Sequence, residues 1–137
     1  MTIACADEAV DWAALFEPPT LDDEYLVPLL ACLCQLNLIW LRRHSAPPLY
    51  AAGIVYQSEP AGQEHWRAIP HVLRLGHADC KSLAAWRVAE LRMKGVAAAC
   101  RHSWRDTERG RLWHITVQFP TGRIEDPSRI LGMGTIT

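Results

Sequence analysis

The sequence lacks an excess of charge of either sign: 14 Lys and Arg stand against 15 Asp and Glu in 137 residues, for a formal net charge of −1. The basic residues are interspersed and not massed, so the balance recommends neither a nucleic-acid backbone nor an anionic membrane as partner. No secretory leader is expected either. Met1-Thr2-Ile3 is soon followed by Asp7, Glu8 and Asp11, without the basic and apolar regions of a secretory signal. No long unbroken apolar run occurs. The densest stretch, residues 26–41, is interrupted by Pro28, Gln35 and Asn37 and falls short of the roughly 20 residues a spanning helix needs. It predicts a buried helix, not a membrane anchor. Regular cysteine spacing is absent too: Cys5, Cys32, Cys34, Cys80 and Cys100 form an odd set, which fits a reducing, cytoplasmic compartment better than a disulfide scaffold. There is no internal repeat and no low-complexity segment.

What is present is hydrophobic bulk. Half of the residues are hydrophobic, enough for one compact core, and the length is that of a single domain spanning residues 1–137. Residues 1–20 end in Phe16-Glu17-Pro18-Pro19-Thr20, which favours extended structure and a turn, so this segment is expected to wrap the surface. Thr20, Asp22 and Asp23 offer N-caps for a helix over residues 21–44, with Arg42 and Arg43 matching the negative end of its dipole. Its apolar side chains cover nearly every face, which predicts burial. Pro28 is tolerable if this helix starts near Tyr25 and disruptive if it starts earlier. Residues 49–57 suggest a short extended segment, and residues 59–76 an ordered loop with a helical turn.

A second helix is predicted over residues 79–94, capped by Asp79 and stopped by Gly95, with Glu90 and Lys94 spaced as an i,i+4 pair. Apolar residues surround most of it, so it should lie centrally, with Lys81, Arg87 and Arg92 at its exposed edge. Strands are predicted over residues 96–104, 112–119 and 123–126, joined by the polar run 105–111 and by Pro120-Thr121-Gly122. The fold class is therefore α+β, with a central helix packed on a small antiparallel sheet.

Three residues in this frame could carry chemistry. Cys80 falls in the first turn of the central helix, where unpaired N–H groups and the positive dipole end favour a thiolate. The same N–H groups can donate to an oxyanion. A cysteine taken alone is more often buried and inert, so its context decides. His114 lies in Trp113-His114-Ile115-Thr116-Val117, whose alternation puts it with Thr116 and Gln118 on the face opposite Ile115 and Val117. Asp126 follows a hairpin whose register matters. A three-residue loop at Pro120-Thr121-Gly122 pairs Phe119 with Arg123 and Thr116 with Asp126, putting Asp126 on the His114 face. A two-residue loop turns it away. Gly122 can take the left-handed conformation that ends three-residue hairpins, which selects the first register.

A thiol at a helix start, an imidazole to take its proton and a carboxylate to orient the imidazole are the parts of a cysteine triad. Their order resembles the transglutaminase-like superfamily within the papain-like fold. The matching stretches are Gly76-His77-Ala78-Asp79-Cys80-Lys81-Ser82, Trp113-His114-Ile115-Thr116-Val117 and Ile124-Glu125-Asp126-Pro127-Ser128. The resemblance covers roughly residues 50–133 as a catalytic core and looks closest to the compact phage-encoded branch; residues 1–49 match nothing. It implies a cysteine-nucleophile amide hydrolase or acyl transferase working through a thioester: a peptidase, deamidase or cross-linking enzyme on a protein or peptide substrate. It also implies an upstream oxyanion donor, for which Trp66, Gln57 and Tyr56 are candidates with Trp66 preferred, while His77 is a candidate cleft residue. The chain is shorter after Asp126 than larger members, which implies a shallow cleft or one completed by another chain.

No metal or cofactor is implied. The histidines lack the spaced partners of a zinc site, no calcium-loop spacing occurs, and Cys32 and Cys34 point to different faces of one helix. The rival to an enzyme is a structural or adaptor protein, such as a virion component, that keeps the fold and works by binding other subunits; its location would then be the virion.

Overall fold

The computed structural model describes residues 23–60, 65–108 and 110–134. The surface-wrapping segment predicted for residues 1–20, and the caps Thr20 and Asp22, lie outside these. Helix α1 spans Asp23–Arg43. A 3-10 turn at Leu49–Ala51 and strand β1, Val55–Tyr56, follow, where the sequence suggests one extended segment. Helix α2, Ile69–Leu75, replaces the helical turn predicted in the next loop, and Gly76 ends it in the left-handed conformation. Strand β2, His77–Ala78, leads directly into helix α3, Cys80–Met93. Strands β3, Ala99–Thr107, β4, Gly110–Gln118, and β5, Ile124–Glu125, form an antiparallel sheet in that order, and helix α4, Pro127–Ile130, closes the described chain. The class is mixed α+β, as the sequence predicts.

Helix α3 is the centre. It packs against α1, β4 and α4. Ala84, Ala85 and Ala89 are fully buried, and their small side chains let neighbouring elements approach closely. On one side Ala84 and Ala85 meet Leu29, Leu30 and Leu33 of α1 and Ile115 and Val117 of β4. On the other, Leu83 and Trp86 pack with Leu49, Ile69 and Val72.

Helix α1 departs from the sequence reading. Leu26, Leu29, Leu33 and Leu38 are buried, but Tyr25, Val27, Leu36 and Ile39 are exposed, so it buries one face and shows another apolar face to solvent. By length and composition residues 24–43 suffice to cross a membrane, with 39% of the helix window buried in the fold; the interruptions in the sequence do not shorten it. Pro28 sits inside the helix, in its second turn. It withholds one N–H from the ladder, and it does so on the exposed side of the helix.

The polar run 105–111 also differs. The sequence makes it a connection, whereas β3 and β4 continue through it with Asp106 opposite Arg111 and Thr107 opposite Gly110. This end of the ribbon is exposed on its described residues, so polar side chains carry no burial penalty and cross-strand pairs can extend the ladder. Glu90 pairs differently as well: its carboxylate accepts the Leu49 N–H at 3.1 Å instead of simply facing Lys94.

The second hairpin takes the three-residue register. Val117 pairs with Glu125 and Gln118 with Ile124, while the Phe119 N–H donates to the Arg123 carbonyl at 2.9 Å. Gly122 has φ +90°, the conformation this loop demands.

Candidate active site

The approach to Cys80 is fixed before the helix begins. Strands β1 and β2 pair in parallel, and the Gln57 N–H donates to the Ala78 carbonyl at 2.9 Å. Asp79 then takes an extended conformation and its Oδ1 accepts from the Ser82 N–H at 3.3 Å, capping α3. Cys80 is the first helical residue and is half-buried.

His114 stands on β4, and its Nε2 lies 2.8 Å from Asp126 Oδ2. The hairpin register brings Asp126 to this face, and Asp126 also caps α4, its Oδ1 accepting from the Arg129 N–H at 3.4 Å. One carboxylate therefore has one oxygen on the imidazole and the other on a helix end. With Nε2 engaged, Nδ1 is the ring nitrogen left to take a proton. Cys80 and His114 line one cavity of about 290 Å³, together with Tyr56, Trp113 and Arg129. Of the three residues singled out from the sequence, Cys80 and His114 thus line one hollow, and Asp126 stands behind it on the imidazole.

Cys80 lines a second cavity, of about 330 Å³, on its other side. Trp66, Glu59, Lys81 and Ile115 contribute to that wall. Trp66 is buried at 1% exposure, and its indole Nε1 finds no hydrogen-bond partner among the described residues. A buried unpaired N–H is costly; the Trp66 side chain contributes to the wall of a cavity that Cys80 also lines, and its Nε1 is itself shielded from solvent. The loop bearing it is stapled by side chains: Ser82 Oγ accepts the Arg67 N–H at 3.1 Å and Asn37 Oδ1 the Ile69 N–H at 3.0 Å.

Tyr56 lines both cavities. Burial, then the negative fields of Cys80, Asp79 and Asp126, push its hydroxyl above the ordinary tyrosine range, so it stays a neutral donor beside the thiol. Gln57 and His77 line neither cavity. Gln57 is exposed and engages the sheet through its backbone, and His77 is half-buried in β2.

Three further residues beside Cys80 escape the sequence reading. Lys81, predicted to lie at the exposed edge of α3, is 4% exposed. Its Nζ pairs with Asp79 and lies 3.7 Å from Glu59 Oε2. Glu59 in turn holds Arg67 Nη1 at 2.7 Å. Burial pushes the Glu59 carboxyl up, against the pull of Lys81 and Arg67. Only the alternation of charge along residues 59, 67, 79 and 81 hints at this network, and nothing local specifies who pairs with whom.

A second network ties α3 to β5. Glu125 Oε2 accepts from Arg87 Nε at 2.6 Å and from the Tyr50 hydroxyl at 2.7 Å. Burial opposes its ionisation, but these two bonds and the charges of Arg87 and Arg123 outweigh it, so the carboxyl titrates below the usual glutamate range. The helix that begins with Cys80 is in this way clamped to the strand that leads into Asp126.

Cys34 is buried, and its sulfur lies 3.5 Å from that of Cys100. Among the described residues no group of three or more His, Cys, Asp or Glu could hold a metal. No protein-family model, curated protein or solved structure matches the chain.

Proposed function

We propose that the chain is a cysteine-nucleophile amide hydrolase or acyl transferase of the papain/transglutaminase-like type, acting through a thioester. The observation that carries this is the His114–Asp126 contact of 2.8 Å at the wall of a cavity that also receives Cys80 from the first turn of α3. In the proposed reaction the Cys80 sulfur attacks a substrate amide carbon while His114 Nδ1 takes the thiol proton. The tetrahedral oxyanion is met by N–H groups at the start of α3 and by the Trp66 indole, with Tyr56 as a further donor. The C–N bond then breaks and His114 returns the proton to the leaving nitrogen. Water or an amine attacks the resulting thioester, again losing its proton to His114, and the free thiol is regenerated. Asp126 holds the ring and stabilises the imidazolium. Hydrolysis is the default outcome, since no feature marks an amine-acceptor site.

The exposed apolar face of α1, with Tyr25, Leu36 and Ile39, favours a second reading: a structural or adaptor protein, for example a virion subunit, that uses this face in an assembly. Incubation with peptide, glutamine and isopeptide substrates, compared with Cys80→Ala, separates the two. A thioester adduct on Cys80 or turnover lost in the variant supports the enzyme; absence of both across all three substrate classes contradicts it.

A further inference from the structure

The two cavities that meet at Cys80 differ in charge. The lobe of about 330 Å³ is lined by two carboxylates, Glu59 and Asp79, and two cations, Lys81 and Arg111, with Lys81 paired to both acids. The lobe of about 290 Å³ is lined by Arg105 and Arg129 and by no carboxylate, together with Tyr56, Trp104 and Met133. Asp126 stands behind Arg129, its Oδ2 3.7 Å from the guanidinium Nε, and does not line the hollow. Arg105 is exposed and makes no ion pair among the described residues. The whole chain carries a formal charge of −1, so the cationic character is local to this lobe.

Proton transfer assigns the lobes. The group that returns a proton to the leaving nitrogen must stand on the leaving-group side of the scissile bond. His114 lines the cationic lobe and not the other. The acyl part of a substrate therefore occupies the lobe of Trp66 and Glu59, and the amine part the lobe of Arg105 and Arg129.

We infer that the site, acting as proposed above, selects substrates whose amine portion carries a carboxylate, held by Arg105 and Arg129. Guanidinium forks match carboxylate geometry, and two of them with no carboxylate in the lining accept a short acidic chain. Two sources share this chemistry: an Asp or Glu side chain just beyond the scissile bond, or the free α-carboxylate of a terminal residue.

The test uses iodoacetyl amides, which place a chosen substituent on the amine side of the carbonyl. The Cys80 sulfur bonds the methylene carbon, iodide leaves, and the thiol proton passes to His114 or solvent. N-iodoacetylglycine, N-iodoacetyl-aspartate α-amide and N-iodoacetyl-lysine amide are compared on the full chain by mass spectrometry of the Cys80 peptide. Each rate is normalised to that with N-acetylcysteine amide. At low ionic strength both carboxylate reagents should outpace the lysine reagent at Cys80 by roughly three- to tenfold, the scale of one or two partly exposed charges. Arg105→Glu should abolish or reverse that ratio. Arg43→Glu, at the far end of α1 and about 25 Å of helix rise from Leu26, should leave it unchanged. A faster aspartate reagent assigns the carboxylate to a side chain, and a faster glycine reagent to a chain terminus. Equal normalised rates for the three reagents, or a ratio that Arg105→Glu does not move, overturn the inference while leaving the nucleophile in place. A Cys80 inert to all three overturns the proposed function and the inference with it.

Discussion

His114 Nε2 and Asp126 Oδ2 lie 2.8 Å apart across a hairpin whose register decides whether they meet at all. With the three-residue loop at Pro120-Thr121-Gly122, Asp126, the residue after β5, reaches the His114 ring; one residue fewer in the loop would reverse every side chain of β5. The contact therefore depends on Gly122, the loop residue with φ +90°.

Gly122→Val tests that dependence. A β-branched residue at positive φ strains the backbone by about 1–3 kcal/mol, and a shift to a shorter loop would part Asp126 from His114. The expected result is a lower urea midpoint together with loss of the His114–Asp126 contact, read from the imidazole chemical shifts in NMR spectra. Unchanged shifts would mean that the register is held elsewhere.

Asp126→Ala removes two bonds at once. Losing the α4 cap should lower stability by about 1 kcal/mol, and freeing the imidazole should slow acylation of Cys80 by on the order of tenfold or more. Asp126→Asn keeps a cap acceptor but cannot stabilise an imidazolium, so stability should largely recover while the acylation rate does not. Equal recovery of both would reduce Asp126 to a structural cap.

Arg87→Met leaves the Glu125 carboxylate, in a partly buried site, with the Tyr50 hydroxyl and the exposed Arg123 guanidinium 3.8 Å away. Breaking such a pair should cost about 2–4 kcal/mol, measured by urea unfolding at pH 7. Arg87→Lys should restore part of it, because the charge returns without the guanidinium geometry.

The same clamp predicts a pH dependence. The folded Glu125 carboxyl titrates below its unfolded value, near 4.3, so the unfolded chain binds more protons between the two. Its contribution is complete above the unfolded value and is lost as pH falls through the folded one. Between pH 7 and about pH 3.5 the wild type should lose roughly 1 kcal/mol more than Arg87→Met, in which burial dominates the carboxyl. Parallel losses would show that Glu125 is not the titrating group.

Much of this arrangement is legible in local sequence. Asp79 caps α3 and Gly95 ends it with φ +82° because those residue types satisfy helix termini, and alternation in β4 buries Ile115 and Val117. What stays hidden depends on partners distant in sequence. Lys81 looks like a surface residue until Glu59 folds over it. Glu125 looks like strand polarity until Arg87 and Tyr50 converge on it. The apolar α1 reads as buried all round, yet α3 and the sheet cover only one face, leaving Val27 and Ile39 in solvent. Pairing across the polar run 105–111 eluded the periodicity, because an exposed ribbon needs no apolar alternation to persist.

The competitive labelling of cysteines by iodoacetamide near neutral pH tests the central claim most directly. Cys80, at the start of α3 and facing two cavities, should be carbamidomethylated well ahead of Cys32, Cys34 and Cys100, and His114→Ala should remove most of that advantage. A Cys80 that reacts no faster than the buried Cys34, in the wild type as in His114→Ala, would contradict the account.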